Sequence, residues 1–552
     1  MAKYNPFGKI PLKNREWPEK TIDRAPIWCS VDLRDGNQAL SVPMNVEQKL
    51  AFFDMLVKIG FKEIEVGFPS ASQTEYSFVR RLIKENHIPE DVTIQVLCQA
   101  REHLIAKTMK SIRGAPKAIF HIYNSTSPNQ RKYTFNMSKE EITAIAVNGI
   151  EAVKQNEYLA EGANIQLEYS PESFSNTEID FSVEICEAVQ KAWNHHNWNK
   201  IIFNLPSTVE YSTPNVYADQ IEYFCKHISD RENVIVSTHC HNDRGTGVAS
   251  CELALLAGAE RVEGCLFGNG ERTGNLDIVT TALNMYTNGI DPGLDFSNLP
   301  EITQKYSEFT DMQVPERQPY AGSLVFTAFS GSHQDAIRKA MAARQSMPGD
   351  APWDVTYIPI DPHDIGREYE EIIRINSQSG KGGAAWILEQ NYGISLPKAM
   401  HPVLGKVVTS AADKLQRELS AEEIYQLFID TWIDTTSPLK IVDFAQTYLG
   451  GDQVQCRASI CYLGEIIAIG SSGNGPLDAF VSALQKASVP HFSISAFHEH
   501  AIGLGTGTEA LACVEITLDD GRKFWGCGKS TNIGFAGINS VVSAVNRISV
   551  AE

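Results

Sequence analysis

Long apolar runs and an excess of basic residues are both missing from this sequence. No apolar stretch reaches the roughly 20 residues that a membrane-spanning helix needs, so we expect no membrane partner. Lys and Arg number 48 against 67 Asp and Glu, which gives a formal net charge of -19. A field of that sign repels phosphate groups, and it argues against nucleic acid as a partner.

Closely spaced cysteine pairs are missing as well. The 11 cysteines are scattered, odd in number and never spaced Cys-x-x-Cys. In a chain of 552 residues this pattern indicates reduced thiols and predicts a cytoplasmic protein. The first eight residues lack the apolar core of a signal peptide, so we expect residues 1–24 to form a flexible or wrapped N-terminal arm.

Short apolar runs alternate with amphipathic helical patterns over the first three hundred residues. Helical spacing is clear at 46–60, 140–161 and 215–228. The runs that we interpret as strands are 27–33, 63–68, 93–98, 118–123, 164–169, 201–205, 234–239 and 261–267. Eight strand–helix units favour an α/β fold, a (β/α)8 TIM barrel over residues 25–320. An open doubly wound sheet is the alternative, but its dinucleotide fingerprint is missing from the first strand-to-helix turn.

Polar groups able to bind a metal ion follow several of these strands. Side chains alternate along a strand, so His239 and His241 point the same way at the end of the seventh strand. Asp35 follows the first strand and supplies an anionic oxygen, and Asn275 follows the eighth. Together they predict a mixed nitrogen and oxygen site for a hard or borderline divalent metal. The alternative for the two histidines is ordinary hydrogen bonding.

Arg34 and a glycine-rich loop adjoin this predicted metal site. Arg34 precedes Asp35 and is placed to stabilise charge that develops on a metal-bound oxygen. A plain salt bridge to Glu65 or Asp32 is its alternative role. The loop 268–275 contains three glycines, which let the backbone approach a ligand closely.

Five motifs carry a resemblance to a known family. They span residues 33–40, 170–174, 239–243, 268–275 and 331–335. With them the sequence resembles the 2-isopropylmalate synthase family, in the longer, fungal and actinobacterial-like branch of the metal-dependent Claisen-condensing TIM barrels. The first motif has Asn37 where many relatives have Glu, a variant that fits this branch.

The resemblance implies an acyltransferase reaction. Acetyl-CoA condenses with 2-oxoisovalerate, and hydrolysis of the thioester gives 2-isopropylmalate and CoA, the first committed step of leucine biosynthesis. A sister synthase that makes homocitrate or citramalate is the closest rival, and a retro-aldol lyase is a more distant one. A metal-stabilised assembly protein without catalysis is the rival from another class.

The resemblance also implies roles for individual residues. The metal ligands are Asp35, His239, His241 and Asn275, with Mg²⁺ as the first choice, Mn²⁺ or Zn²⁺ as alternatives, and activation by K⁺. The other implied roles are alkoxide stabilisation by Arg34, proton removal from the acetyl methyl by Glu172, and contacts to the keto acid by His121, Ser170 and Thr208.

Two further residues lie beyond the barrel, in a linker region at 321–437 that we expect to be mainly helical. By resemblance His333 and Tyr357 serve proton transfer in the barrel of the partner subunit of a homodimer. From the sequence alone they read as a helix-start histidine and a packed tyrosine. The polar run 376–383 is a predicted domain boundary or a loop near CoA.

Residues 438–552 form a predicted α+β domain with an internal repeat. Each half reads as strands followed by a helix. By resemblance this domain binds leucine and inhibits the enzyme, with Gly473, Gly475 and Ala479 placed at a helix start that suits a carboxylate. The second turn, 526–532, lacks the acidic residue often found there, and a dimerisation domain without a ligand is the alternative.

Overall fold

The computed structural model describes residues 3, 7–194, 200–328, 330–369, 383–415, 417, 419–433, 435–451, 453–502 and 508–550. These residues form two compact units. The first contains the residues up to Phe326 together with Pro359–Tyr369, and the second contains Thr327–Ile358 and the described residues from 383 onward. Most of the polar run 376–383 lies outside the described residues. No described helix combines the length and the apolar character needed to cross a membrane.

The first unit is built on a closed barrel of eight parallel strands in sequential order. The (β/α)8 prediction is therefore confirmed, and the open-sheet alternative is wrong because β1 pairs with β8. The strands are β1 Ile27–Ser30, β2 Glu63–Gly67, β3 Thr93–Gln99, β4 Lys117–Ser125, β5 Asn164–Glu172, β6 Ile201–Ser207, β7 Val234–Cys240 and β8 Arg261–Gly264.

Helices follow the strands. They are α1 Val46–Ile59, α2 Gln73–Lys84, α3 Glu102–Ser111, α4 Lys139–Asn156, α5 Ile179–Trp193, α6 Pro214–His227, α7 Gly247–Leu256, α8 Ile278–Thr287 and α9 Leu299–Thr310. Asn45 and Ser138 start α1 and α4 with reciprocal capping boxes, which satisfy amide groups that the first turn leaves unpaired. The helix predicted at 140–161 ends at Asn156, because a separate 3-10 turn over Glu157–Ala160 follows it.

The first and last strands of the barrel end earlier than predicted. After Ser30 the chain turns into a π-helical segment, Asp32–Gly36, and Phe267 adopts a left-handed backbone with φ of 56°. The Asp32 carboxylate links the two ends, since it accepts the Leu266 N–H at 3.1 Å and the Ser30 hydroxyl at 2.8 Å. This turn lifts Arg34 and Asp35 over the barrel mouth, and π-helical turns often mark functional sites.

The N-terminal arm contacts α6 through Arg15, Glu16 and Trp17. Arg15 forms an ion pair with Asp219, and Glu222 accepts the backbone N–H of Trp17 at 3.0 Å. The indole N–H of Trp17 donates to Asp219 at 2.8 Å. These contacts fit a wrapped arm, while its predicted boundary at residue 24 and the other domain boundaries stay predictions.

The second unit joins helices to a duplicated strand–helix arrangement. Its helices before the repeat are α10 Gly331–Arg344, α11 Gly383–Tyr392, α12 His401–Leu415 and α13 Ala421–Trp432. The first repeat is β9 Leu439–Gly450, β10 Gln453–Tyr462, β11 Glu465–Gly473 and α14 Pro476–Leu484. The second is β12 Phe492–Ile502, β13 Glu509–Leu518, β14 Lys523–Ser530 and α15 Ile533–Val550.

Each repeat is a three-stranded antiparallel sheet with its helix packed on it, in the orders β11-β10-β9 and β12-β13-β14. Gly526 and Gly528 allow α15 to lie directly on β14, because a Cβ at either position would overlap the helix backbone. The predicted α+β fold with an internal repeat is confirmed.

Candidate metal centre and active site

A cavity of about 350 Å³ opens at the carboxyl ends of the barrel strands. That is the expected place and size for a small-molecule site in this fold. Eight of the predicted site residues line it: Arg34, Asp35, His121, Ser170, Glu172, Thr208, His239 and His241. Residues that the strand-end pattern grouped as one predicted site, although they are far apart along the chain, therefore line one cavity.

Asp35, His239 and His241 form a compact buried group within this cavity. Each residue offers one ligand atom, and the three atoms lie within 4.8 Å of one another. Asp35 Oδ2 is 3.3 Å from His239 Nε2 and 3.7 Å from His241 Nε2. Asn275 completes the group, since its Oδ1 lies 3.1 Å from His239 Nε2 and its Nδ2 lies 2.9 Å from Asp35 Oδ2. The backbone places Asn275 there by bridging to His241.

The chemistry of this group fits a divalent cation. His241 Nε2 lies 3.7 Å from Asp35 Oδ2, too far for a hydrogen bond, so these two atoms face each other unbonded. Burial and the neighbouring His239 lower the pKa of His241 to about 3, so it is a neutral imidazole suited to ligation. Burial opposes charge on His239 too, but hydrogen bonds with Asp35 and Glu263 outweigh it and raise its pKa to about 9.

Glu263 orients His239 within this group. The two residues face each other in the register of β7 and β8, and His239 Nδ1 donates to Glu263 at 2.7 Å. A carboxylate accepts but does not donate, so Nδ1 carries the proton and Nε2 faces Asp35. Carboxylate–histidine pairs of this kind fix the ligand tautomer in metal sites.

A layer of buried charge lies directly beneath the mouth of the barrel. Arg261 is fully buried and donates to Glu263 at 2.8 Å and to Gln95 at 2.6 Å. Gln95 in turn donates to Glu65 at 2.6 Å, and Arg261 lies 3.4 Å from the buried Glu168. The sequence analysis assigned no role to Gln95, Arg261 or Glu263. One signal in the sequence could have revealed this layer. In Arg261-Val262-Glu263 two charged residues lie two positions apart within a strand, so both side chains point to the same face.

Arg34 contacts two carboxylates at once. It forms an ion pair with Asp35 at 2.9 Å and a second, short one with Glu65. The predicted salt bridge to Glu65 is therefore present, and Arg34 also lies at the cavity wall. Two carboxylates hold the guanidinium in a fixed orientation.

The predicted keto-acid residues are linked to the same layer. His121 Nδ1 lies 2.9 Å from Glu65 Oε2, and His121 Nε2 lies 2.7 Å from the Ser170 hydroxyl. Ser125 donates a short hydrogen bond to Glu172. The Thr208 hydroxyl accepts the Ser173 N–H at 2.9 Å.

His333 and Tyr357 lie in the second unit, and the cavity lining includes neither of them. Their rings stack on each other with centroids 4.0 Å apart, and both side chains are exposed. Tyr357 has a left-handed backbone with φ of 68°, which is unusual for an aromatic residue. Their proton-transfer roles stay predictions.

The predicted leucine site lies at the junction of β11 and α14. A Cβ on Gly473 would lie 2.5 Å from the Ala479 nitrogen, whereas the space beside Gly475 is open. The Ala479 N–H donates to Gly475 O at 3.0 Å, and the Asn474 N–H donates to Asp478 at 2.8 Å. The role of these residues in regulation stays a prediction.

Comparisons with known proteins cover the whole chain. The HMGL-like family matches residues 25–305, the family described as alpha-isopropylmalate synthase, post-catalytic domain-like, matches 323–389, and the LeuA allosteric (dimerisation) domain matches 418–549. A 2-isopropylmalate synthase of Clostridium acetobutylicum is 54% identical over 552 residues, covering 99% of each chain. One of Acetoanaerobium sticklandii is 50% identical over 553 residues, covering 100% of this chain and 97% of the relative. Among solved structures, a hydroxymethylglutaryl-CoA lyase from Pseudomonas aeruginosa matches with 18% identity and a TM-score of 0.43, over 53% of this chain and 96% of its own.

Proposed function

This chain belongs to the 2-isopropylmalate synthase family, and from that premise we propose which of its residues carry out the reaction. The reaction is the condensation of acetyl-CoA with 2-oxoisovalerate and hydrolysis of the thioester to 2-isopropylmalate and CoA, the first committed step of leucine biosynthesis. The enzyme is a metal-dependent transferase whose C-terminal part is an allosteric dimerisation domain. The buried Asp35, His239 and His241 group is the observation that carries the assignment of residues.

Asp35, His239, His241 and Asn275 are the proposed metal ligands. Two imidazoles, a carboxylate and an amide oxygen, with no thiolate, suit a hard or borderline divalent metal such as Mg²⁺, Mn²⁺ or Zn²⁺, and the family resemblance puts Mg²⁺ first. When bound, a divalent cation supplies a Lewis acid and a template for the keto acid. Activation by K⁺ stays a prediction from the resemblance.

Arg34 is the proposed donor to the oxygen that becomes negative when the ketone is attacked. A guanidinium has five N–H donors, and its ion pairs with Glu65 and Asp35 occupy Nε and Nη1. The remaining donors are available at the cavity wall, where Arg34 lies. Because the two carboxylates fix its plane, the donor does not have to reorient during the reaction.

Glu172 is the proposed base for the acetyl methyl group. It lies at the end of β5 on the cavity wall, and the Ser125 hydroxyl holds its carboxylate in place. A carbon acid this weak needs a base at a fixed position. His121, Ser170 and Thr208 are the proposed contacts of the keto acid, and Glu65 fixes the His121 tautomer with the proton on Nδ1.

His333 and Tyr357 are proposed to act in the barrel of the partner subunit. Their stacked, exposed rings present one imidazole and one phenol side by side, which suits proton transfer. Mixing the inactive variants His333→Ala and Glu172→Gln tests this. Exchange of subunits should restore about a quarter of the wild-type activity, because half of the dimers then carry one intact site. Mixtures that stay inactive after exchange contradict the proposal.

Leucine is the proposed inhibitor, and it would bind at the turn between β11 and α14. The open space beside Gly475 and the start of α14 support the proposal, since a helix start favours a carboxylate. We also propose a cytoplasmic location, because all 11 cysteines are free thiols.

Release of CoA with a panel of keto acids tests the substrate assignment. We expect the highest kcat/KM with 2-oxoisovalerate. The competing substrates are 2-oxoglutarate, which would give homocitrate, and pyruvate, which would give citramalate. A clear preference for either of these would transfer the assignment to a sister synthase.

A further inference from the structure

An ion pair between a fully buried lysine, Lys49, and a largely buried glutamate, Glu75, lies directly behind one wall of the cavity. Phe68 forms that wall and follows the last residue of β2. Its backbone N–H donates to Glu75 Oε2 at 3.1 Å, and the other oxygen of Glu75 accepts a short hydrogen bond from Lys49. The ion pair therefore reaches the cavity wall through one main-chain hydrogen bond.

Lys49 is unusual among the lysines of the first unit because its side chain is fully buried. It points inward from α1, and its ammonium lies 5.1 Å from the centroid of the buried Phe78 ring. Removing a lysine charge from water is unfavourable, and burial lowers the pKa of Lys49. Buried ion pairs are generally no more stabilising than apolar side chains of the same size, so stability alone gives no reason for this pair.

The backbone of β2 depends on this pair at its end. The parallel register between β2 and β3 shifts between Glu65 and Gly67, which marks a bulge, and Gly67 opposite Val96 is the last pair of this ladder on β2. Gly67 has φ of 151°, and a Cβ at that position would overlap Glu75 Oε2. The Glu75 carboxylate thus lies directly on the main chain and accepts the N–H of Phe68, the first residue beyond the last pair of the ladder.

Phe68 belongs to the apolar part of the cavity lining, together with Leu97 and Pro206. The proposed metal ligands and Arg34 bind the polar end of the keto acid. Its branched alkyl end therefore has to pack against the apolar side chains. A displacement of Phe68 changes that packing, whereas the proposed metal ligands, Arg34 and Glu172 lie on other strands and turns.

We propose that Lys49 and Glu75 are positioning residues that fix Phe68 and thereby set the affinity of the enzyme for the alkyl end of the keto acid. Glu75 holds the main chain at Phe68, and Lys49 holds the carboxylate of Glu75. The inference rests on the proposed function, since it takes a branched keto acid as the substrate.

Two neutral double variants separate positioning from folding. Lys49→Met with Glu75→Leu removes both charges and the hydrogen-bond acceptor, whereas Lys49→Met with Glu75→Gln removes both charges and keeps an acceptor. We expect the Gln variant to melt at or above the wild-type temperature and the Leu variant, which leaves the Phe68 N–H without an acceptor, to melt slightly below it. The Leu variant should raise the KM for 2-oxoisovalerate about tenfold with kcat within about threefold, and the Gln variant should raise it less than about threefold. The KM for acetyl-CoA should not change.

The matched control is the solvent-facing pair Arg81 and Glu85 at the C-terminal end of α2, replaced by Met and Leu, which should leave every constant unchanged. Equal KM values for the two double variants, or a wild-type KM for the Leu variant, would overturn the inference. If the Leu variant does not fold, Glu75→Asp replaces it, because it keeps the charge and withdraws the acceptor; a wild-type KM would again overturn the inference. Lack of turnover by the wild-type enzyme with 2-oxoisovalerate would instead contradict the proposed function.

Discussion

The two units of this protein bury different kinds of side chain. The barrel holds fully buried charged groups such as Arg261, Glu65 and Glu263 around its mouth. In the described part of the second unit, the buried polar side chains are Ser540, Ser543 and Asn546, none of which is charged. Its cores are apolar, with Trp432 and Phe480 among their fully buried members.

This difference separates the barrel, which holds the proposed metal centre, from the repeat, which holds the proposed regulatory site. A buried charge is unfavourable unless it is paired and hydrogen-bonded, so a dense layer of such groups is expected where a reaction needs them. An apolar core suits a domain that folds, pairs with a second copy and transmits a signal. Changes in the barrel should therefore alter metal binding and turnover, and changes in the repeat should alter only regulation.

The largest effect is expected from Asp35→Ala. It removes the anionic ligand of the proposed metal site, and kcat/KM at saturating metal should fall by about a thousandfold or more. The metal content of the purified protein should fall with it, measured by plasma mass spectrometry. Asp54→Ala, at an exposed position of α1, is the control and should behave like the wild type. Wild-type turnover by the Asp35 variant would refute the site.

A smaller loss is expected from Glu263→Gln. The amide keeps the shape but not the charge that orients His239, and such outer partners typically contribute about 10- to 100-fold to metal affinity or activity. Calorimetric titration with Mn²⁺ measures the affinity directly. Glu222→Gln, a buried carboxylate that binds the N-terminal arm, should leave it unchanged. Equal Mn²⁺ affinities for the wild type and the Glu263 variant would show that Glu263 does not orient His239 for metal binding.

Metal affinity should also depend on pH in a defined direction. The pKa of His239 is raised to about 9, so below that pH a proton has to leave before the ring can ligate. The apparent Kd for the metal should therefore fall about tenfold for each pH unit between 7 and 9, and then level off. His241, with its pKa near 3, contributes nothing in this range. A Kd that stays constant from pH 7 to 9 would contradict the raised pKa of His239.

The smallest effect on catalysis is expected in the repeat. Gly475→Ala adds a methyl group to open space at the proposed leucine site, so the melting temperature and kcat should not change. The inhibition constant for leucine should rise about fivefold. Gly537→Ala on α15 meets only ordinary van der Waals contacts and serves as the control. Unchanged leucine inhibition in the Gly475 variant would leave the regulatory site unassigned.

Sequence patterns predicted the parts of this fold that depend on local signals. Polar groups directly after strands identified Asp35, His239 and His241, because the carboxyl ends of barrel strands meet at one mouth. Strand ends were less predictable: β1 was expected to reach residue 33 but stops at Ser30, since the π-helical turn depends on a contact of Asp32 with Leu266, which follows the neighbouring strand β8 and is 234 positions away in the sequence.

The buried charge layer was missed for a similar reason. Arg261 pairs with Glu63, which lies 198 positions away, and only the closed barrel brings them together. Lys49 stands beside the apolar stripe of α1 and reads as a solvent-exposed residue, yet Glu75 on the next helix makes its burial feasible. The burial of Arg261 and of Lys49 thus depends on carboxylate partners that are distant in the sequence.

A crystal structure of the Mn²⁺-loaded enzyme with 2-oxoisovalerate tests the central claim most directly. The anomalous signal should show one ion bonded to Asp35, His239 and His241 at the barrel mouth. The described residues contain a second group that could hold a cation, Glu65, His121 and Glu263. An ion bound there, with Asp35 free of metal, would contradict the account.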